Sequence, residues 1–427
     1  MQCSADADCG WHASCAASGL CEAFALGTNP MVDAAMGALS FCIAGISLAA
    51  GVGGGGLFVP LLMLILSFDT RTATALSQSM LIGGAIAAFG YNLDHSHPRV
   101  PARPLVDFEL ACLLGPALMA GAQIGSVVHS VAPPAILLFL LCFVLVDAAR
   151  KGVANALKIR TKEHEAKAAA LQEHAVSEEL EKQKAQQAVP LKSDSDDKAS
   201  SESESLWDYE DAVARIRDAQ CKLVCIWAFC VAITMSKGLL VDICSPPWWS
   251  LVLGSSVSLG GFALYYANLL STREPVDEES LDFRELAFPL VRWGLLAGML
   301  AAMCGIGGGM VMGPILVGLK VPPPVSAATT ATTLLVLSST IALVYFCRGL
   351  APKDYSIYLS IITAAGALTG KVFIGRWVRR TGKESVIVWC LAGITVTSTV
   401  LMGTLGAARV WENGMASFEL GDVCNPE

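Results

Sequence analysis

Two runs of glycine are the part of this sequence best suited to chemistry. Residues 51–60 read GVGGGGLFVP, and residues 305–314 read GIGGGMVMGP at a constant offset of 254 positions. Consecutive glycines are unfavourable inside a helix, where each costs about 1 kcal/mol relative to Ala. The runs therefore predict two broken helices, each of which continues after the break as a short helix carrying a proline in its first turns.

Backbone N–H groups at such a break need a partner if the break lies within a membrane. The N-terminal end of a helix also carries partial positive charge, and glycine lets a ligand approach the backbone closely. We predict that the two breaks face each other and bind a small anion. The candidate substrate-binding residues of the two runs are Gly53, Gly54, Gly55, Gly56 and Pro60, and Gly307, Gly308, Gly309 and Pro314. Close helix packing through small residues is the alternative role for these glycines.

The segments that follow the short helices are rich in hydroxyl side chains. Gln78 in the first and Thr332 in the second are separated by the same offset of 254. We predict that they form a facing pair that contributes to the anion site. Serine and threonine hydroxyls can instead bond to carbonyls of their own helix, and this alternative stays open.

The offset between the glycine runs extends into a longer internal repeat. It pairs Leu62 with Leu316, Ala73 with Ala327, Leu81 with Leu335, Ala88 with Ala342 and Tyr91 with Tyr345. A later match, at an offset of 245, pairs Gly121 with Gly366 and Gly125 with Gly370. The two halves of the chain therefore look like duplicated units.

The composition indicates what surrounds these units. Charged residues make up 15% of the chain and the mean hydropathy is +0.56, whereas soluble domains carry about 25% charged residues. Soluble enzymes, nucleic-acid binders and disordered proteins are disfavoured. Stretches without Asp, Glu, Lys or Arg are long enough to cross a bilayer, which takes roughly 20 residues. They include 34–68, 72–93, 110–146, 243–272, 293–319, 321–347 and 385–408. We predict an all-α polytopic membrane protein with about 10–12 membrane segments.

Positive charge in short loops predicts the orientation. If the N-terminus is extracytoplasmic, most Lys and Arg residues of the short loops lie in inner loops: Arg99, Arg103, Arg150, Lys151, Arg376, Arg379, Arg380 and Lys383. Arg348 and Lys353 fall outside, against the rule. With this topology the first unit begins outside and the second inside, so the repeats are inverted. Inverted repeats are typical of secondary transporters, which bind substrate near the membrane midplane.

The chain divides into six parts. Residues 151–220 hold 26 of the 66 charged residues, and we predict a partly disordered cytoplasmic insert there, with no stable fold across the Ser-rich stretch 193–205. The other parts are a Cys-rich extracytoplasmic segment (1–28), the first repeat (29–150), an extra helix pair with an acidic loop (221–285), the second repeat (286–410) and a C-terminal tail (411–427).

Four cysteines recur at a spacing of six in the N-terminal segment: Cys3, Cys9, Cys15 and Cys21. We predict two disulfides in an oxidising compartment, with connectivity left open. A zinc site is the rival, but the CxxC pairs typical of zinc knuckles are missing. Cys244 and Cys424 are predicted to lie on the same side of the membrane. We expect no cleavable signal peptide in the chain as given.

The duplicated GxGGGxxxxP pattern, the Ala/Ser/Thr-rich segment after it and the later GAxxG element resemble the TauE/SafE family of sulfite and organosulfonate exporters. The resemblance covers residues 31–150 and 286–409. It implies export of sulfite, organosulfonates or related sulfur-containing anions, with no cofactor and no enzymatic activity. Met310 stands in the second run where the first has Gly56, so the two turns need not be equivalent.

Two other functions stay open. A membrane-anchored receptor or scaffold would use the Cys-rich end and the insert. An intramembrane metal-dependent enzyme would need ligands such as Asp94, His95 and His97, which we interpret instead as a solvated loop.

We expect the lipid bilayer and a small anion as partners and no nucleic acid, and the sequence leaves homo-oligomerisation open. Lys371 is predicted to extend its charge to the inner surface, with pairing to the substrate as the alternative.

Overall fold

The computed structural model describes residues 13–15, 21–23, 25–98, 100, 103–133, 136–137, 139–140, 142–161, 165, 199–242, 244–273, 281–319, 321–347, 349–381 and 385–413. A hairpin of two short strands, β1 (Ala13–Cys15) and β2 (Cys21–Ala23), lies in the Cys-rich segment. Helices form the rest: α1 (Pro30–Ala49), α2 (Gly55–Ile65), α3 (Thr70–Leu93), α4 (Phe108–Val131), α5 (142–161), α6 (Ala199–Leu239), α7 (Pro246–Ser271), α8 (Phe283–Cys304), α9 (Gly309–Gly318), α10 (Pro323–Cys347), α11 (Lys353–Thr381) and α12 (Ser385–Asn413).

Length and hydropathy make most of these helices membrane segments. Within the described part of the chain, nine helices are long and apolar enough to cross a bilayer, and α2 and α9 are shorter apolar helices. Large apolar side chains face outward, with Val257 74% and Phe373 79% exposed. Such surfaces are stable against lipid rather than water. The prediction of an all-α polytopic membrane protein is confirmed.

Aspartates set the beginnings of three helices. The Asp69 carboxylate accepts hydrogen bonds from the N–H groups of Arg71 and Thr72, at 2.9 and 3.1 Å. Asp107 accepts from Leu110 at the start of α4, and Asp282 from Arg284 at the start of α8. A side-chain acceptor at this position satisfies N–H groups that the helix leaves unpaired.

Both glycine runs break a helix as predicted. The first unit has α1, a turn and the short α2, and the second has α8, a turn and the short α9. Hereafter the first turn is 50–54 and the second turn is 305–308. Each turn contains glycines with positive φ, which L-residues with side chains rarely adopt. The sequence therefore places the breaks correctly.

The contacts of α3 and α10, which are equivalent helices of the two repeats, show that the repeats are inverted. Asn92, near the C-terminal end of α3, lines the same cavity as Ala327, near the N-terminal end of α10. At the other end, a Cβ on Gly305 would contact Thr74 in the first half of α3. The carbonyl of Ala302, in the last turn of α8, accepts a hydrogen bond from Tyr345, near the C-terminal end of α10. Equivalent helices thus run antiparallel.

The first helix of each unit packs against the other unit through the GAxxG glycines. A Cβ on Gly370 of α11 would overlap the carbonyl oxygen of Gly45 in α1. A Cβ on Gly125 of α4 would likewise overlap the carbonyl oxygen of Met299 in α8. These pairs are related by the repeat, so the two units interlock through backbone contacts that only glycine permits.

The helices of the extra pair pack beside this core, and α6 begins before residue 221, where the pair was predicted to start. Helices α6 and α7 both contact α4, and α6 also contacts α10. Helix α6 begins at Ala199, so residues 199–205 are helical where the sequence predicted disorder, and the helix crosses the predicted boundary at 220. No Gly or Pro interrupts residues 199–237, so the membrane helix continues into the charged region. The rest of 193–205 lies outside the described residues.

Candidate functional site

The two turns meet in direct, reciprocal contact. A Cβ on Gly55, the first residue of α2, would overlap the carbonyl oxygen of Gly305 and lie 2.8 Å from the carbonyl carbon of Ile306. A Cβ on Gly309, the first residue of α9, would overlap the carbonyl oxygen of Gly51 and lie 3.1 Å from that of Val52. The two contacts are related by the repeat, because each residue in one contact has its counterpart in the other. The turns therefore face each other, and each helix start rests on the backbone of the opposite turn.

One pair of leucines fixes the middle of both turns. Cβ atoms on Gly53 and Gly307 would lie 2.7 and 2.8 Å from methyl groups of Leu334, and both would contact Leu81. Leu81 and Leu334 are fully buried. The turns are thus held in shape by α3 and α10, the central helices of the two units.

Two serine hydroxyls flank the N-terminal end of α2. Ser47 of α1 and Ser398 of α12 are 0% exposed, and neither hydroxyl has a hydrogen-bond partner among the described residues. The Ser47 oxygen lies 2.6 Å from the Cβ position of Gly54, and the Ser398 oxygen 3.2 Å from that of Gly56. A buried hydroxyl without a partner is costly, so these two positions need a ligand or a water molecule.

Helix α2 begins beside the two hydroxyls without a side-chain cap. Its first backbone hydrogen bonds run from the N–H groups of Leu57 and Phe58 to the carbonyl oxygen of Gly54, at 2.9 and 3.1 Å. The N–H groups of a helix's first residues have no acceptor within the helix and point along its axis. Together with Ser47 and Ser398 they form a neutral set of donors, suited to an oxyanion.

The second turn is more apolar than the first. Met310 is the counterpart in the second repeat of Gly56 in the first. It is fully buried and lies against Gly56, with its sulfur 2.8 Å from the Cβ position of that glycine. Gly308 packs against Leu118 and Leu337. Ala301 stands at the repeat position of Ser47. The expectation that the turns differ therefore has a structural basis: the polar groups lie at the start of α2.

Gln78 and Thr332 are both buried but have separate surroundings. The Gln78 amide nitrogen donates a long hydrogen bond of 3.5 Å to the carbonyl of Ala301, and its oxygen has no partner among the described residues. The Thr332 hydroxyl donates to the carbonyl of Ala328 in its own helix at 3.0 Å. No hydrogen bond of the described residues joins the pair, and their role at the site stays a prediction.

The prolines lie inside the short helices rather than at their ends. Pro60 is the sixth residue of α2 and Pro314 the sixth of α9. Proline has no N–H, so each leaves a carbonyl in the preceding turn without its helical donor. The Pro314 carbonyl itself accepts a hydrogen bond of 2.9 Å from Asn155 of α5. Both residues are buried.

The predicted solvated loop around Asp94 is partly buried. His97 is 7% exposed, and its N–H donates to the carbonyl of Arg103 at 2.8 Å. His95 stacks on Tyr91 with the ring centroids 4.1 Å apart. The loop folds back onto the end of α3, which buries His97 and leaves His95 and Tyr91 half-buried. In the described part of the chain, no three His, Cys, Asp or Glu side chains are grouped to hold a metal ion.

Ser47 and Ser398 were not predicted from the sequence. Ser47 carries a weak signal, because it lies one helical turn before Gly51 on the helix that breaks. Ser398 carries none, because it is more than 340 positions from Gly56 and only the packing of α12 against α2 brings it there.

These features define an α-helical multi-pass membrane protein built from two inverted repeats with paired broken helices. A family model described as Sulfite exporter TauE/SafE matches residues 25–165 and 215–417, and the chain belongs to the TauE/SafE family. The resemblance seen in the sequence is confirmed.

Relatives from Arabidopsis thaliana agree with this assignment. Sulfite exporter TauE/SafE family protein 3 is 30% identical over 374 residues, which cover 84% of this chain and 75% of the relative. Family protein 2 is 28% identical over 409 residues, which cover 90% of this chain and 85% of the relative. No solved structure matches the chain.

Proposed function

We propose that this protein is a transporter, not an enzyme, and exports small anions across a membrane. Sulfite, organosulfonates or related sulfur-containing anions are the substrate class, as the names of its family and relatives suggest. The observation that carries the proposal is the start of α2, a helix N-terminus without a side-chain cap that lies beside the unpartnered hydroxyls of Ser47 and Ser398.

The chemistry of this site suits an anion that must be released again. Backbone N–H groups and hydroxyls stabilise negative charge by hydrogen bonds, without the strong ion pair that Lys or Arg would form. In this structure the glycines let the two turns pack against each other, so the anion gains room beside the backbone only when the turns separate. Gln78 and Thr332 belong to the proposed site as residues of the central helices.

Transport requires that the two turns separate. They are in direct contact in this structure, so the path between the two sides is closed at this level. In inverted-repeat transporters, rocking of one unit against the other exposes a central site to alternate sides. We assign the same motion to the two interlocked units here.

The proposed orientation places the N-terminus outside and residues 151–220 in the cytoplasm. Cys244, in the connection between α6 and α7, is disulfide-bonded. Disulfides persist in oxidising compartments, which supports an extracytoplasmic position for this connection. The bilayer and the anion are the proposed partners.

Transport assays in liposomes test the proposal through the two serines. Reconstituted wild type should release radiolabelled sulfite, and Ser47→Ala and Ser398→Ala should each lower the initial rate about tenfold or more, because a hydrogen bond to a charged group contributes about 1.5–3 kcal/mol. Ser40→Ala is the matched control, since Ser40 is another fully buried hydroxyl of α1 without a partner among the described residues.

Two results would contradict the proposal. If wild type moves neither sulfite nor a simple sulfonate, the proposed function fails. If transport occurs but Ser47→Ala and Ser398→Ala behave like Ser40→Ala, the site at the start of α2 is wrong.

A further inference from the structure

A cavity of about 430 Å³ lies between the end of α3, the beginning of α10 and the C-terminal third of α11. Its lining includes the side chains of Lys371, Asn92 and His95 together with apolar residues such as Ile374 and Val378. The anion site at the start of α2 uses none of these residues. The volume falls within the range of pockets that hold small molecules, about 300–1,000 Å³.

Lys371 is a buried cation that the fold does not neutralise. It is 6% exposed and lines the cavity, so its charge does not reach the inner surface as the sequence predicted. No carboxylate belongs to the described residues that line the cavity, and no ion pair among the described residues includes Lys371. A buried charge without a counter-charge is strongly unfavourable. An anion that enters the cavity supplies the missing partner.

Asn92 adds a neutral amide to the lining of the same cavity. It is 0% exposed, and neither its amide nitrogen nor its oxygen has a partner among the described residues. His95 is oriented by the end of α3: its Nδ1 lies 2.7 Å from the carbonyl oxygen of Tyr91. A carbonyl only accepts, so Nδ1 carries the hydrogen and the Nε2 atom is left for other contacts.

The cavity adjoins the first glycine turn. Ala49, the last residue of α1, and Ala327 of α10 both line it. A Cβ on Gly51 would lie 2.6 Å from the Cα of Ala327. The cavity wall therefore includes residues that border or contact the first turn.

The repeat-related position at the opposite end of the molecule is built differently. Ser126 stands at the counterpart of Lys371, at the offset of 245. It lines a cavity of only about 50 Å³, together with Lys237 of the extra helix α6. The Lys237 ammonium donates to the side-chain oxygen of Gln123. The fold thus satisfies the buried lysine at one end with a protein partner and leaves the other lysine facing an open cavity.

We propose that Lys371 and Asn92 form a separate binding site for a small oxyanion, distinct from the site at the start of α2. The anion occupies it between the cytoplasmic side and the paired turns, and the Lys371 charge excludes cations and holds the anion at the entrance. The position of this site on a transport path rests on the proposed function, whereas the binding of an anion in the cavity does not.

Equilibrium binding to the purified full-length protein tests this site. Radiolabelled sulfite should bind wild type at two sites per chain. Lys371→Met, which keeps the length of the side chain and removes the charge, should abolish one of them or weaken it at least tenfold, and Lys371→Arg should retain it. Asn92→Ala should weaken the same site. Lys353→Met is the matched control, because Lys353 lies on the same helix but is exposed at the opposite end.

Transport measured on the same variants separates this inference from the proposed function. With wild type active, Lys371→Met should raise the KM for sulfite about tenfold and change kcat much less. If Lys371→Met and Asn92→Ala both keep wild-type stoichiometry, Kd and KM, the cavity site is refuted while transport stands. If wild type does not transport sulfite, but the Lys371→Met variant binds one anion per chain fewer than wild type, the cavity site stands and the proposed function fails. Should Lys371→Met not fold, Asn92→Ala and Lys371→Arg decide between the same outcomes.

Discussion

At the scale of single residues, the two turns share a sequence pattern but differ in backbone conformation at one pair of equivalent glycines. Gly54 has φ of +82°, whereas its repeat counterpart Gly308 has φ of −59°. A left-handed conformation costs a residue with a Cβ about 1–2 kcal/mol. The Gly54 position also faces the Ser47 hydroxyl, while the Gly308 position faces leucine methyl groups. The two equivalent positions therefore favour glycine for different physical reasons.

Alanine substitutions should separate these two glycines. Gly54→Ala should lower the free energy of unfolding by about 1–2 kcal/mol through backbone strain and slow sulfite transport, because the new methyl group displaces Ser47. Gly308→Ala needs no change of backbone region and should cost less than half as much. Thermal unfolding in detergent, beside the liposome assay, measures both effects. Equal losses of stability would show that the two backbones do not differ in this way.

At the scale of helices, glycine allows backbones to touch. Helices α1 and α11 contact through Gly45, Gly366 and Gly370, and helices α4 and α8 through the repeat-related residues Gly121 and Gly125. Such contacts between small residues are a main source of helix association in membranes, where lipid tails and apolar side chains are equally apolar. The GAxxG element, which the sequence identified only as a repeated pattern, is explained by this packing.

A methyl group at this helix contact should destabilise the fold. In Gly370→Ala the Cβ meets the Gly45 carbonyl oxygen, and neither backbone can move without separating α1 from α11. We expect a loss of about 1–3 kcal/mol, the usual cost of overpacking. Gly403→Ala in α12 is the control, because nothing lies within 4 Å of a Cβ there. Its thermal unfolding midpoint should be unchanged or higher, and a similar fall in both midpoints would contradict the proposed contact.

At the scale of the whole molecule, the two units form one interlocked core and the charged insert lies between them in sequence. Helix α5 continues to residue 161 and α6 begins at Ala199. The connecting residues 166–198 lie outside the described part of the chain. A transporter requires the core, whereas a receptor or scaffold would require the insert, so the two functions make opposite predictions for a deletion.

Replacing residues 166–198 with a flexible Gly/Ser linker should leave transport within about twofold of wild type. A chain of this kind spans roughly 5–6 Å times the square root of its length, so about 20 residues reach roughly 25 Å. The proteoliposome efflux rate, normalised to the amount of folded protein, is the measurement. A scrambled insert of the same composition controls for length. If the deletion abolishes transport while the scrambled insert retains it, the loss lies in the shortened connection; if both abolish it, the insert itself is required and the scaffold function gains support.

Much of the architecture follows from local sequence features. Hydropathy identifies the membrane helices, because a residue's preference for lipid or water needs no knowledge of its neighbours in space. Glycine runs identify the breaks, because backbone freedom is likewise a local property. Helix α6 begins at Ala199, where a polar segment continues a membrane helix. The polar composition of this segment predicted disorder. The structure instead continues the helix through it, because the segment contains no Gly or Pro to interrupt a helix.

The sequence by itself determined the class of the protein, the duplication and the positions of the two turns, since each depends on residues close together in the chain. Only the tertiary structure decided that the turns rest on each other, that Ser398 reaches the start of α2, that Met310 makes the second turn apolar and that Lys371 faces a cavity. These facts depend on how helices hundreds of residues apart pack together. No local rule specifies that packing, because it is the joint result of every side chain at the contact.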